Sequence, residues 1–324
     1  DTLMARPPNP PGLLSGVGSR LLGSLARRRA QPPSMTAPDS PPTPAPAAWT
    51  PAGQTITLEY PVRPRPRWGT RWGLPPHGPL ERLIRGCDET TRGVLGRIPT
   101  HRDALRRIAT HVPEGSAEPA WINDWLPALD GASLYAFVAE QNAATYLEVG
   151  SGNSTRFVRR AIRDHGLRTR IVSIDPYPRA EIDAICDEVL RHPLEDCDVA
   201  VFDRLAAGDI CFVDNSHRAF QNSDVTVTFL EVLPRLAPQV LIGMHDIFLP
   251  DDYPSAWAER YYSEQYLLAA FLLGGHAGTE IVFPAWDASQ REELARIVAP
   301  IWEGEAFAAV HKHGAGFWLR TRAG

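Results

Sequence analysis

A chain of 324 residues with ordinary aromatic and charged content can bury one large core with appendages, or two small domains. A net charge of −5 and a pI near 6.1 argue against a broad basic surface, so no nucleic-acid partner is expected. The four cysteines, Cys87, Cys186, Cys197 and Cys211, show no C-x-x-C spacing, which argues against a disulfide or zinc framework and fits the cytoplasm; no apolar run reaches the length of a membrane span.

Residues 1–75 are dense in proline and poor in apolar runs, so they bury too little surface to offset the entropy of ordering. They read as a largely disordered Pro/Arg-rich tail. Within it, residues 13–29 carry Leu13, Leu14, Val17, Leu21, Leu22 and Leu25 ahead of Arg27, Arg28 and Arg29. Such a segment suits a basic amphipathic helix on an anionic membrane, but Gly16, Gly18 and Gly23 favour a flexible tail. Arg63, Arg65, Arg67, Trp68, Arg71 and Trp72 alternate with prolines and read as an ordered wrap over the domain's own surface, with an arm for a polyanion or sugar as the alternative. Residues 76–143 read as a helical lead-in, from the spacing of Leu80, Leu83 and Ile84, of Ala104, Leu105 and Ile108, and of the apolar residues over 121–139.

From residue 144 strand and helix patterns alternate, which predicts an α/β domain over 144–324 with a parallel sheet covered on both faces. Strands are expected at 146–149, 171–174, 209–214, 240–244, 280–283 and 316–320, and helices over 181–190, 225–236, 262–273 and 292–298. Residues 199–202 fit either a short strand or a helical turn. The domain centres on residues 146–155, Y-L-E-V-G-S-G-N-S-T: a buried strand, a glycine turn whose N–H groups can face a ligand, and a capped helix start. Asp175 ends the next strand, in position for a ribose hydroxyl pair. A dinucleotide fingerprint needs a third small residue where Thr155 stands, and Glu148 would repel a pyrophosphate. An acid there suits the cationic amino-acid end of S-adenosylmethionine. Glu148, Gly150, Ser151, Gly152, Ser154, Thr155 and Asp175 are therefore the expected cofactor residues.

Ligands on such sheets bind beyond the carboxyl ends of the strands. Asp214 ends one strand and is followed by His217; His245 and Asp246 end the next. Two acids and two imidazoles at adjacent strand ends suit a divalent metal such as Mg²⁺, with Asp214, His245 and Asp246 as ligands, and a general base, His217, beside a catalytic Asp214. The loop F-L-P-D-D-Y-P at 248–254 reads as a lid or acceptor loop, with Trp257, Tyr261 and Tyr262 able to stack on a sugar or merely to pack the loop down.

The E-x-G-x-G turn with Asp175, and the runs D-I-C-F-V-D-N-S-H and H-D-I-F-L-P-D-D-Y-P, resemble class I S-adenosylmethionine-dependent methyltransferases of a bacterial glycan and natural-product branch. The acid-x-x-His element at 214–217 is similar to that of metal-dependent macrolide sugar O-methyltransferases. The resemblance spans roughly residues 144–285. It implies a Rossmann-like seven-stranded sheet with an antiparallel last strand, S-adenosyl-L-methionine as cofactor, O-methylation of a small-molecule or glycan acceptor, and a carboxylate-bound Mg²⁺ with the histidine as base. One departure is His245-Asp246, where the macrolide enzymes favour paired acids. The alternatives are a metal-dependent oxygenase on the same fold and a non-catalytic cofactor-binding module recruited through its tail.

Overall fold

The computed structural model describes residues 55–178, 181–276 and 278–323. The expected tail up to residue 54, including the segment 13–29, lies outside the described residues. Among those described, no helix is long and apolar enough to cross a membrane.

The strands are continuous apolar runs because both faces of the sheet are covered. In the strand Ile210–Val213, Ile210 and Phe212 enter one core while Cys211 and Val213 enter the other. The seven strands are β1 (Thr145–Val149), β2 (Arg170–Ile174), β3 (Glu188–Leu190), β4 (Ile210–Val213), β5 (Leu241–Met244), β6 (Thr279–Pro284) and β7 (Phe317–Thr321). Their order is β3-β2-β1-β4-β5-β7-β6. The first five run parallel, and β7 inserts antiparallel between β5 and β6. Leu147 of β1 pairs with Val172 on one side and Cys211 on the other, so the strand order reverses between β1 and β4 and opens a crevice at their carboxyl ends. This is the Rossmann-like sheet with an antiparallel last strand that the sequence predicts.

Helices α1 (Gly78–Arg85), α2 (Asp88–Arg97) and α3 (Arg102–Leu105) precede the sheet. Helix α4 (Ala128–Gln141) is apolar nearly all round and is buried over residues 128–138. It lies against α5 (Asn153–His165), and Gly131 permits the close crossing: a Cβ there would stand 2.8 Å from the Phe157 ring. Helix α6 (Asp224–Val227) continues through tighter and wider turns to Arg235, and α7 (Glu264–Leu273), α8 (Ala285–Gln290) and α9 (Glu292–Val298) complete the domain.

Two local expectations are corrected, and one open alternative is decided for the helical turn. Residues 181–190 form no α-helix: a short turn, Asp183–Ile185, leads into edge strand β3. Ile182, Ile185, Val189 and Leu190 also fit helical spacing, but Asp187 accepts the Ile171 N–H at 2.8 Å and steers the chain alongside β2. Residues 199–202 belong to a 3₁₀ turn, Val199–Arg204, capped by Asp198, so β3 is the seventh strand. The helix expected over 121–139 starts only at Ala128, because Pro127 disfavours helix before it and Asn123 ties the preceding loop through Leu126 N at 2.7 Å. Helix α2 falls within the expected helical lead-in; helix α8 was not expected.

Candidate active site

The glycine turn stands at the carboxyl end of β1, beside that of β4. Gly150 has φ +80°, and a Cβ on it would lie 1.8 Å from the Asp214 carbonyl oxygen. Only glycine lets the two strand ends meet so closely. Gly150 N donates to Ile174 O and Asp214 N to Val149 O, at 3.0 and 2.8 Å, which locks three strand ends together. Asp175 leaves β2 with its carboxylate on Ser151 N (2.8 Å) and Tyr177 N (2.7 Å). These two bonds fasten the end of β2 to the glycine turn.

A cavity of about 640 Å³ opens here, lined by Ser151, Gly152, Asn153, Ser154 and Asp214 below and by loop residues that include Asn123 and Trp125 above. The roof is tied to the floor by Asn153 Nδ2 donating to Asn123 Oδ1 at 3.1 Å. The turn, the helix start and the adjacent Asp175 fit S-adenosylmethionine, and its volume admits a ligand of that class.

Glu148 is not on the cavity wall, contrary to expectation. It is fully buried, and its carboxylate accepts from Tyr146 Oη and Ser154 Oγ, each at 3.0 Å, and from Thr155 Oγ1. Thr155, equally buried, also accepts Gly152 N at 3.0 Å. Glu148 and Thr155 therefore brace the turn from beneath.

Burial pushes the Glu148 carboxyl up to about 7, against the pull of its three hydroxyl donors. The folded state thus favours the neutral acid. Its stabilisation is full below the unfolded value of 4.5 and is lost as pH rises through about 7. Urea unfolding of the cofactor-free protein is expected to lose on the order of 3 kcal/mol across that window. Glu148→Gln is expected to flatten the slope; an unchanged slope in the variant would mean that another group sets it.

The strand ends of β4 and β5 bring the acids and imidazoles together. His217 Nε2 lies 3.3 Å from Asp214 and 3.4 Å from Asp246, and its Nδ1 lies 2.8 Å from Glu264 Oε2. His245 Nδ1 lies 3.5 Å from both Asp214 and Asp246, and its Nε2 lies 3.2 Å from Asp130. The result is a chain, Glu264–His217–Asp214/Asp246–His245–Asp130, buried except near Asp214, whose side chain keeps 28 % exposure. Asp214 is thus the member that a ligand in the cavity can reach.

His217 and Asp246 hold left-handed backbones, at φ +59° and +56°, a strained conformation for such residues. His217 is held there by Ser263 N and Glu264 N, which both donate to its carbonyl at 2.7 and 3.2 Å.

Burial opposes charge on both rings, yet Asp214 and Glu264 lift His217 well above the usual histidine range, and Asp214 and Asp246 do the same for His245. Burial also works against Asp214, but His245 and His217 hold it well below the usual carboxylate range; Asp246 is raised by burial and ionises after it.

The compact metal-type set is Asp214, His217 and Asp246, whose ligand atoms all lie within 4.8 Å of one another. It shares two members with the expected set of Asp214, His245 and Asp246; His245 Nδ1 also lies 3.5 Å from both acids, while its Nε2 faces Asp130. Asp130 was missed. Its signal was an acid inside an otherwise apolar helix, A-L-D-G-A-S-L-Y-A-F-V. It also accepts Ala315 N and Gly316 N, at 2.7 and 2.9 Å, which joins α4, β5 and the approach to β7.

The 248–254 loop is pinned inward. Asp252 accepts from Tyr253 N at 2.8 Å, Tyr266 Oη at 2.6 Å and Arg67 N at 2.9 Å, and Asp251 accepts Trp286 Nε1 at 3.0 Å. Trp72 Nε1 donates to Asp252 O at 2.9 Å, so the residue 67–72 segment lies on this loop. Arg260 covers the faces of Trp257 and Tyr262, while the Tyr262 ring sits 4.6 Å from that of His217.

Residues 147–247 match a family model described as a methyltransferase domain. With the strand order and the glycine turn, this gives the chain a methyltransferase domain of the S-adenosylmethionine-dependent, Rossmann-like kind. No curated protein sequence matches it. Among solved structures it is similar to the S-adenosylmethionine-bound O-methyltransferase TomG of Streptomyces achromogenes, at 18 % identity and a TM-score of 0.36, over 68 % of this chain and 90 % of that one. It is also similar to the methyltransferase PaMTH1 of Podospora anserina, at 14 % identity and TM-score 0.39, over 84 % and 100 %. A third is MycE of mycinamycin biosynthesis, solved with Mg, S-adenosylhomocysteine and mycinamycin VI, at 14 % identity and TM-score 0.36, over 70 % and 54 %. At such scores these likenesses bear on neither the acceptor nor the metal.

Proposed function

We propose that the protein transfers a methyl group to a hydroxyl of a sugar, glycoconjugate or other natural product. The observation that carries this is His217, an imidazole fixed at Nδ1 by buried Glu264 and turned at Nε2 toward the carboxylates beside the cavity. S-adenosylmethionine, when bound, supplies an electrophilic methyl group. Ser151, Gly152, Ser154 and Asp175 would hold it over the glycine turn. The acceptor's hydroxyl proton would pass to His217 by way of Asp214, the member of the chain that the cavity reaches, as the oxygen attacks, and the roof loop would hold the acceptor in line and keep water out.

The carboxylates around His217 keep its proton on. With Asp214 and Asp246 committed to a divalent cation, His217 would lose two of the charges that hold this proton, Glu264 at Nδ1 remaining, and its Nε2 would be freer to accept one. A second reading, favoured by the compactness of Asp214, His217 and Asp246, makes His217 the third ligand of that cation. The cation would lower the pKa of the acceptor hydroxyl.

The unpaired cysteines, Cys87, Cys186, Cys197 and Cys211, support a reducing cytoplasm as its location. The test is transfer of a labelled methyl group from S-adenosylmethionine to a panel of hydroxylated sugars and phenols, with and without chelator. Transfer abolished by chelation and restored by Mg²⁺ or Mn²⁺ supports the cation; transfer indifferent to chelation leaves His217 as an unaided base. Absence of transfer to every hydroxyl, with transfer to amines or carbons instead, would sink the O-methyltransferase reading.

A further inference from the structure

The cavity over the glycine turn contains a cation that has no counter-charge among the described residues. Arg156 sits in the first turn of α5 and lines the cavity beside Gly152, Asn153 and Ser154. The other arginines of that helix are all paired: Arg159 with Asp187, Arg160 with Glu118 and Asp164, and Arg163 with Glu118. Arg156 has no such partner. Its side chain makes one hydrogen bond, from Nη1 to Asn153 Oδ1 at 3.2 Å, and that bond folds the guanidinium back toward the start of the helix. Its Nε is buried without an acceptor. Burial holds the guanidinium below its ordinary pKa, and no acid offsets that cost. The acids lining the same cavity, Glu114, Asp124, Glu181 and Asp214, form no ion pair with it.

A buried cationic N–H without an acceptor is costly, and the cost is relieved when a ligand brings a negative group. An anion at this point also faces the positive end of a 13-residue helix. Glu148, the acid expected to read the amino-acid end of the cofactor by charge, is sealed beneath the turn. Recognition of that end therefore falls to groups on the cavity wall.

We propose that Arg156 receives the carboxylate of the amino-acid end of S-adenosylmethionine. This rests on reading the cavity as the cofactor site, and the test separates the two. The full chain and its Arg156→Met and Arg156→Lys variants are titrated calorimetrically with S-adenosylmethionine and with decarboxylated S-adenosylmethionine, which lacks only that group. Thermal unfolding near the wild-type midpoint verifies the fold of Arg156→Met, which gives up one hydrogen bond within its own turn.

Arg156→Met is expected to bind S-adenosylmethionine roughly ten- to a hundred-fold more weakly, and the decarboxylated analogue as wild type does. Arg156→Lys is expected to recover part of the loss. Equal weakening toward both ligands overturns the assignment, while the cavity still binds the cofactor. Unchanged cofactor affinity with a raised KM for the acceptor also overturns it, and gives Arg156 to an anionic acceptor. Wild-type protein that binds neither ligand overturns the cofactor reading of the cavity itself, and the role of Arg156 with it.

Discussion

Gly150→Ala is expected to cost more than any other single-methyl addition in the glycine turn. The new Cβ would meet the Asp214 carbonyl oxygen at 1.8 Å and its carbon at 2.8 Å. Neither atom belongs to a flexible side chain, so β4 must part from β1. The φ of +80° adds strain of about 1–2 kcal/mol for any residue with a Cβ. The parting breaks the Asp214 N to Val149 O bond and moves Asp214 away from His217. A loss above about 3 kcal/mol in urea unfolding is expected, together with loss of cofactor binding by calorimetry. Gly152→Ala is the control. Its φ of 168° suits any residue, and no atom lies within 4 Å of the new Cβ, which projects into open space on a cavity-lining residue. That variant is expected to keep its stability and weaken cofactor binding alone. Equal stability of the two variants would contradict the close approach of the two strand ends.

His217→Ala is expected to lower methyl transfer by roughly 10²- to 10⁴-fold while cofactor affinity persists. The ring is the one group that touches Glu264 on one side and both Asp214 and Asp246 on the other. Its removal leaves three buried or half-buried carboxylates with less cationic compensation, so Asp246 and Glu264, already raised by burial, are driven further toward their neutral forms. Glu264→Gln keeps the ring but removes the charge that orients it, and a loss of about ten- to a hundred-fold is expected. Single-turnover rates with labelled cofactor measure both. Titration with Mn²⁺ then separates the two roles of His217: retained Mn²⁺ affinity in His217→Ala fits a base, and lost affinity fits a ligand. Unchanged turnover removes His217 from the reaction.

The parallel core was readable from residue order because its strands carry their own signal. Runs such as I-C-F-V at 210–213 bury alternate residues in opposite cores, and such runs have few other uses. The short edge strand β3 was not readable. Its three residues have no period to measure, and only the Asp187 contact with Ile171 N reveals which partner the chain follows. The glycine turn and the meeting of Asp214, His217, His245 and Asp246 were legible, since strand ends at a topological switch converge by rule. The side-chain directions were not. Glu148 points under the turn and not into the cavity because three hydroxyls, from Tyr146, Ser154 and Thr155, satisfy it there. Asp130 and Arg156 act across the fold or by lacking a partner, and neither property is local to a sequence window.

The bridge that Asp130 makes to residues 315 and 316 has a consequence for when this protein becomes competent. The acid sits in α4, yet its backbone donors lie 185 and 186 residues further along. Until β7 slots between β5 and β6, Asp130 lacks those donors and His245 lacks a settled neighbour. A growing chain therefore carries the glycine turn well before it carries a finished reaction centre, and removing residues 315–324 would return the protein to that unfinished condition.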